Sequence, residues 1–213
     1  MKKILFAVLV STFINSAVHA QEVKIGAKGG LNLSTITANS ETVTPRLAYH
    51  FGAFLNLPLS EKLSLHPEML YFSIGHINSF DYGLFRGADP SLNGSFKSVE
   101  RSNYLAVPIN FRYNFSKKFG LDFGPQVSFL LNGVLEIKES NSFTEESNKR
   151  KTSGKFRPDY GVNLGLTFTP VEKINFQLRF YQSLHNLLGG SIFDGDSGVY
   201  NIALQFSVGY VIF

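Results

Sequence analysis

The sequence predicts an all-β fold, an eight-stranded antiparallel up-and-down transmembrane β-barrel. Three observations carry that expectation. Apolar and polar residues alternate with period two over eight separate stretches, which sends successive side chains to opposite faces of a strand. Short and long connections take turns between the stretches, the rhythm of a barrel built from hairpins. After the first twenty residues no apolar run approaches the roughly 20 residues of a membrane helix, so a mature chain that spans a membrane must close its sheet edges.

Residues 1–20 read as a cleaved secretory signal. Lys2 and Lys3 form a basic start, an apolar stretch runs from Ile4 to about Val18, and Val18 and Ala20 are the small residues of a cleavage site. Ser11, Thr12, Asn15 and Ser16 interrupt the apolar stretch and make it a poor anchor. Residues 21–213 then form one barrel domain. The chain has no cysteine, hence no lipidation cysteine, disulfide framework or thiolate metal site, and nothing in it implies a cofactor.

The eight stretches follow in order. The first sets Val23, Ile25, Ala27, Leu31 and Leu33 against Lys24, Gly26, Lys28, Gly30, Asn32 and Ser34. The second sets Leu47, Tyr49, Phe51, Ala53 and Leu55 against Ala48, His50, Gly52, Phe54 and Asn56. In the third, Leu63, Leu65, Met69 and Tyr71 oppose Ser64, His66, Glu68 and His76. In the fourth, Leu105, Val107, Ile109, Phe111 and Tyr113 oppose Tyr104, Asn110, Arg112 and Asn114. The fifth places Leu121, Phe123, Val127 and Phe129 opposite Asp122, Gly124, Gln126 and Ser128.

After a long polar stretch the phase flips. Tyr160, Val162, Leu164, Leu166 and Phe168 face away from Asp159, Gly161, Asn163, Gly165 and Thr167. Ile174, Phe176, Leu178 and Phe180 oppose Asn175, Gln177, Arg179 and Tyr181, and the last stretch runs from Tyr200 to Ile212 with even positions apolar. Short turns are expected around Ser60–Lys62, Ser116–Lys118 and Val171–Lys173. Long polar loops are expected over Thr35–Arg46, Asn78–Ser102, Gly133–Arg157 and Asn186–Ser197. An even strand count puts both termini on one side, the periplasmic one in an outer-membrane barrel.

Which face is inside decides between this barrel and a soluble, lipocalin-type one. Eight strands enclose a space just wide enough to fill with side chains, and the many Phe, Tyr, Leu and Ile would overpack it. Gly26, Gly30, Gly52, Gly124, Gly161, Gly165 and Gly209 all fall on the polar face, as if that face were the crowded one. The polar face is therefore read as the interior. Aromatic belts are expected from Tyr113, Phe115, Phe168 and Tyr210 at one end, and from Tyr49, Tyr71, Tyr104, Tyr160 and Tyr200 at the other.

Lys24, Lys28, Glu68, Arg112, Asp122, Asp159 and Arg179 are then the ionisable residues of the inner face. Charges in a narrow lumen must be paired, so they are read as an interior ion-pair network. Glu68 is matched with Arg112 or Lys28, and Asp122 with Arg112 or Arg179. A narrow pore is the rival reading from the transport class. A hydrolase or acyltransferase needs nucleophile, base and orienting group together. His50, His66, His76 and His185 are available, His66 and Glu68 share a strand face, and no serine sits in a nucleophile motif. The expectation is non-enzymatic.

Asp194 and Asp196 make an incomplete calcium-like loop, and Glu136–Lys151 is a dense mixed-charge stretch read as an outer loop. The formal charge of +4 is small and dispersed and gives no reason to expect nucleic acid. The expected partners are outer-membrane lipid and lipopolysaccharide, the barrel assembly machinery during insertion, and an envelope protein.

Six pieces in order resemble one family: IGAKGGLNLS (Ile25–Ser34), LHPEMLYFSIG (Leu65–Gly75), NYLAVPINFRYN (Asn103–Asn114), FGPQV (Phe123–Val127), DYGVNLG (Asp159–Gly165) and LRFYQSL (Leu178–Leu184). Together they are similar to the PorT-like outer-membrane β-barrels of Bacteroidota. The resemblance implies an eight-stranded barrel and an outer-membrane location, and its namesake takes part in secretion and gliding. Ala106 stands where that pattern leads one to expect an inward acidic residue. Phe213 has the type of a terminal assembly signal but is out of phase with Tyr210 and Ile212, which a local bulge or a frayed end would explain.

Overall fold

The computed structural model describes residues 23–37, 42–82, 94–141, 145–154, 156–186 and 198–213. The signal segment and the Asp194–Asp196 stretch lie outside them. Among the described residues nine strands follow one another: β1 (Lys24–Ile36), β2 (Val43–Pro58), β3 (Leu63–Tyr82), β4 (Gly94–Asn114), β5 (Phe119–Asn141), β6 (Glu145–Ser153), β7 (Pro158–Val171), β8 (Ile174–Ser183) and β9 (Asn201–Val211). Every pairing among them is antiparallel. Eight form a closed ring, β1–β2–β3–β4–β5–β7–β8–β9, with β9 back on β1. The ninth, β6, adds to the far half of β5.

The faces divide as the alternation requires. Leu31, Phe51, Leu164 and Phe206 point outward and are each at least half exposed, whereas Asn32, Asp122 and Arg179 point inward at 0 to 1% exposure. The outward aromatics stack from strand to strand. Around the end that carries the termini the rings run Phe115–Phe119 (6.2 Å), Phe119–Phe168 (4.9 Å), Phe168–Phe176 (6.4 Å) and Phe176–Phe206 (6.5 Å). Toward the far end Phe51 and Tyr71 stack at 5.2 Å, with Tyr49 beside them. Tyr104 and Tyr200 do not join that belt, because both are buried. Tyr104 shares the inner phase of Arg112 on β4, and Tyr200 precedes the first residue of β9, so alternation does not govern it.

Crowding on the inner face is visible at two glycines. A Cβ on Gly26 would come within 2.3 Å of the Phe54 ring, its cross-strand neighbour, and one on Gly161 within 2.3 Å of the Tyr181 ring. Each ring occupies the space that a side chain on the glycine would need.

The expected short turns are present, but the long polar stretches are not simply loops. β3, β4 and β5 have 20, 21 and 23 residues, about twice the 9–11 that cross a bilayer. Their far halves project beyond the ring as a sheet, with β6 at its edge. Alternating apolar residues are not needed there, since backbone bonds hold the ladder and side-chain pairs add to it. Phe80 stacks on Phe96 at 5.0 Å, Arg101 pairs with Glu136 at 2.9 Å, and Asn103 Nδ2 donates to Asn132 Oδ1 at 2.9 Å.

The strand register slips at the junction of ring and projection. Asn103 faces Asn132 while Tyr104 faces Leu130, so β5 carries one extra residue, Leu131. Here β5 changes partner from β7 to β6. The chain between β6 and β7 turns tightly against it: Gly154 N–H donates to Leu131 C=O and Phe156 N–H to Leu130 C=O. Phe156 adopts φ 51° in this turn, a left-handed conformation uncommon for a bulky residue. A Cβ at Gly154 would meet Leu130 C=O at 2.1 Å.

Two irregularities are repaired by side chains or backbone. Between Pro45 and His50 the β2–β3 pairing shifts. Asn32 Nδ2, reaching from β1, donates to Ser73 C=O, while the Ser34 hydroxyl bonds both the N–H and the C=O of Gly75, each at 2.9 Å. At the C-terminus the N–H groups of both Ile212 and Phe213 reach Ile25 C=O. Two residues oppose one, which is a bulge.

Candidate functional site in the barrel interior

The inner face of the ring brings ionisable side chains from separate strands to one level. Glu68 of β3 accepts from Lys28 of β1 (Nζ to Oε1, 3.0 Å) and from both terminal nitrogens of Arg179 on β8 (3.0 and 2.5 Å). Asp122 of β5 accepts from its direct cross-strand partner on β4, Arg112, through Nε at 2.5 Å and Nη2 at 3.1 Å. Thr167 of β7 donates to the same carboxylate.

Gln177 of β8 joins the two clusters. Its Oε1 accepts from Lys28 (2.5 Å) and Arg179 (2.8 Å), and its Nε2 donates to Asp122 (2.6 Å). A neutral amide can do this because it offers a donor and an acceptor at one side-chain tip. The result is one connected network, Lys28–Glu68–Arg179–Gln177–Asp122–Arg112, with three cations held by two carboxylates. All six residues are buried, Arg112 the least so at 9%. Such geometry is what a charge removed from water requires, and chains of bonds of this kind rigidify the groups they link.

Five of the seven expected ionisable residues meet here, and two do not. Lys24 is half-buried at the terminal end, where it lines an open cavity of about 580 Å³ that reaches in as far as His66 and Arg112. Asp159 lies at the opposite end of β7 from Thr167 and accepts from Ser183 Oγ at 2.7 Å. Glu68 pairs with Lys28 as expected. Its second cation is Arg179, however, and Arg112 is taken by Asp122, which it faces directly across the β4–β5 ladder. Gln177 and Thr167 were legible as inner-face residues, but nothing in the sequence marked them as links.

Farther along the lumen the lining changes character. Leu70, Phe72, Ile74, Tyr104, Ala106, Tyr181 and Ala203 form a buried apolar cluster, with Phe72 and Tyr181 edge to face at 5.4 Å. The uninterrupted run Met69–Leu70–Tyr71–Phe72 was its signal, because a strand apolar at consecutive positions is apolar on both faces. Ala106 is fully buried there, directly opposite Leu70. An acidic side chain at that position would enter an apolar contact surface.

The histidines do not assemble a catalytic centre with Glu68. His66 Nε2 lies 3.2 Å from Ser64 Oγ, and both oxygens of Glu68 are engaged by cations. His50 has the more suggestive surroundings. Its Nδ1 is 2.6 Å from Asn32 Oδ1 and its Nε2 is 2.7 Å from Ser207 Oγ, the order of orienter, base and nucleophile in a triad. Ser207 and His50 are only 1% and 2% exposed, so no substrate carbonyl can approach the hydroxyl in this arrangement. The three side chains tie β1, β2 and β9 together from within. His76 lies 3.9 Å from Glu100 on the projecting sheet, and His185 is exposed. Among the described residues no cluster of His, Asp and Glu could hold a metal ion.

The family comparison agrees with this architecture. No curated protein matches the chain. Among solved structures, Ail of Yersinia pestis, in complex with the heparin analogue sucrose octasulfate, is similar at 11% identity and TM-score 0.44, over 90% of this chain and 100% of that one. CarO2 of Acinetobacter baumannii is similar at 9% identity and TM-score 0.45, again over 90% and 100%. Likenesses at these scores support no transfer of activity. The family profile described as outer membrane protein beta-barrel domain matches residues 19–189. A closed ring with apolar residues outside and polar residues inside, matched over most of its length by that profile, belongs to the outer membrane protein beta-barrel domain family.

Proposed function

We propose that this protein is a sealed, non-enzymatic outer-membrane barrel whose activity lies in the contacts of its projecting sheet. The single observation that carries this reading is the connected network from Lys28 to Arg112, which draws on six of the eight ring strands, β1, β3, β4, β5, β7 and β8. A lumen crossed by directly bonded side chains has no continuous water path, and the apolar cluster beyond it adds a second closure. Both termini lie on the periplasmic side, and β6 with the far halves of β3, β4 and β5 lies outside the cell. Short turns at the terminal end and the long projection at the other support that orientation. The signal peptide is removed on export, and the assembly machinery receives the barrel by its C-terminal strand.

Planar-bilayer recording of the refolded mature chain tests the seal. The expected trace shows no conductance steps. Steady single-channel openings would replace this reading with that of a narrow pore. The ordered segments resembling PorT-like barrels support placing the protein near that branch of the family, with an envelope assembly as its setting.

A further inference from the structure

The wall continues past its apolar band without changing phase. On β4 the outward row Ile109, Val107, Leu105 leads on, by alternation, to Asn103, Arg101, Val99 and Lys97. Across the ladder Arg101 faces Val134, Val99 faces Glu136 and Lys97 faces Lys138 on β5. One strand further, Val134 faces Lys151, Glu136 faces Lys149 and Lys138 faces Ser147 on β6. One face of the projection therefore carries Lys97, Arg101, Lys138, Lys149 and Lys151. The anions that share it among the described side chains are Glu136 and, nearer the tip, Asp81.

Glu136 is already shared, by Arg101 at 2.9 Å and Lys138 at 3.5 Å. Lys97 stands directly opposite Lys138, and like charges in that position oppose strand pairing. Lys149 and Lys151 are exposed on the edge strand. The opposite face of the same sheet has a different character: it presents Phe80 stacked on Phe96, Leu135, Glu100 and Arg150.

We propose that this outward basic face binds the phosphate groups of lipopolysaccharide in the outer leaflet. The inference rests on the orientation given above, with the projection outside the cell. What lies against the wall beyond its apolar band is whatever lies above the acyl chains, and there the outer leaflet carries phosphate. With a strand rise of about 3.3 Å per residue and a tilt of roughly 35–45° to the barrel axis, Arg101 stands roughly 10 Å above Leu105 along the axis, at headgroup depth, and Lys97 stands higher. Arginine offers a planar fork to phosphate, and lysine a mobile point charge on an apolar stem that can lie along lipid. A polyanion at this face also relieves the repulsion between Lys97 and Lys138.

The test uses the full mature chain refolded in micelles, with retention of purified deep-rough lipopolysaccharide counted by native mass spectrometry. Intact lipopolysaccharide is expected to bind at least about tenfold more tightly than the same material stripped of phosphate. The triple variant Lys97→Thr, Lys149→Thr, Lys151→Thr should lose about tenfold. Arg150→Thr, on the other face of β6, should lose nothing, and heat-modifiable gel migration confirms that each variant folds. Equal retention of intact and stripped lipid, or an equal loss on Arg150→Thr, overturns the proposal. Orientation is read separately from Ser147→Cys, which would be the chain's only thiol. Labelling by an impermeant maleimide on intact cells supports the orientation, and protection there overturns it together with this inference. Labelling combined with failed lipid arms sinks the lipid proposal alone.

Discussion

The two halves of the lumen exclude water by opposite means. Near the terminal half, Lys28, Glu68, Arg112, Asp122, Gln177 and Arg179 fill the cross-section with directed bonds. In the far half, Leu70, Phe72, Ile74, Tyr104 and Tyr181 pack by contact, beside the hydrogen-bonded side chains of Asn32, His50 and Asp159. The apolar half needs volume and tolerates changes of shape. The charged half needs each partner, because a buried charge left alone costs far more than the pair gains. A narrow barrel interior is thus not obliged to be polar throughout. Its requirement is that every group find either a bond or a close neighbour.

That contrast can be broken most severely at Glu68. Glu68→Ala strands both Lys28 and Arg179, and the expected loss is about 3–5 kcal/mol, read from urea unfolding of the refolded barrel followed by heat-modifiable migration. An unchanged midpoint would mean that the pairs do not hold the lumen. Phe72→Ala should follow at about 3 kcal/mol, because the cavity left beside Tyr181 relaxes only in part. Phe72→Leu should cost less than about 1.5 kcal/mol. If the conservative change were as damaging as truncation, the far half would not be packed by volume. Gln177→Leu should cost less than either truncation, about 1–3 kcal/mol, since it leaves the Glu68 and Asp122 clusters intact but unlinked. A loss from it as large as that at Glu68 would make the amide, rather than the ion pairs, the centre of the network.

Reading the sequence against the structure separates two kinds of information. Alternation around Leu31, Phe51, Leu164 and Phe206 was enough to count eight ring strands and to say which face is outside. It was silent on the projection, because polar residues in Lys97–Glu100 and Glu145–Ser153 carry no apolar rhythm, although they form strands as regular as those of the ring. The Arg112–Asp122 pair was within reach, being one rung of a hairpin. Glu68–Arg179 was not, because β3 and β8 meet only across the lumen and sequence distance says nothing about that level.

The sequence by itself determined the strand count of the ring, the outward apolar wall and the list of charges that must be accommodated inside. These depend on local periodicity and on composition, which any short stretch displays. Only the tertiary structure decided which charge meets which, that Gln177 joins them, that Tyr200 is buried, and that β6 adds a ninth strand. Those outcomes depend on the register with which the sheet closes on itself, a property of the whole ring that no single hairpin contains.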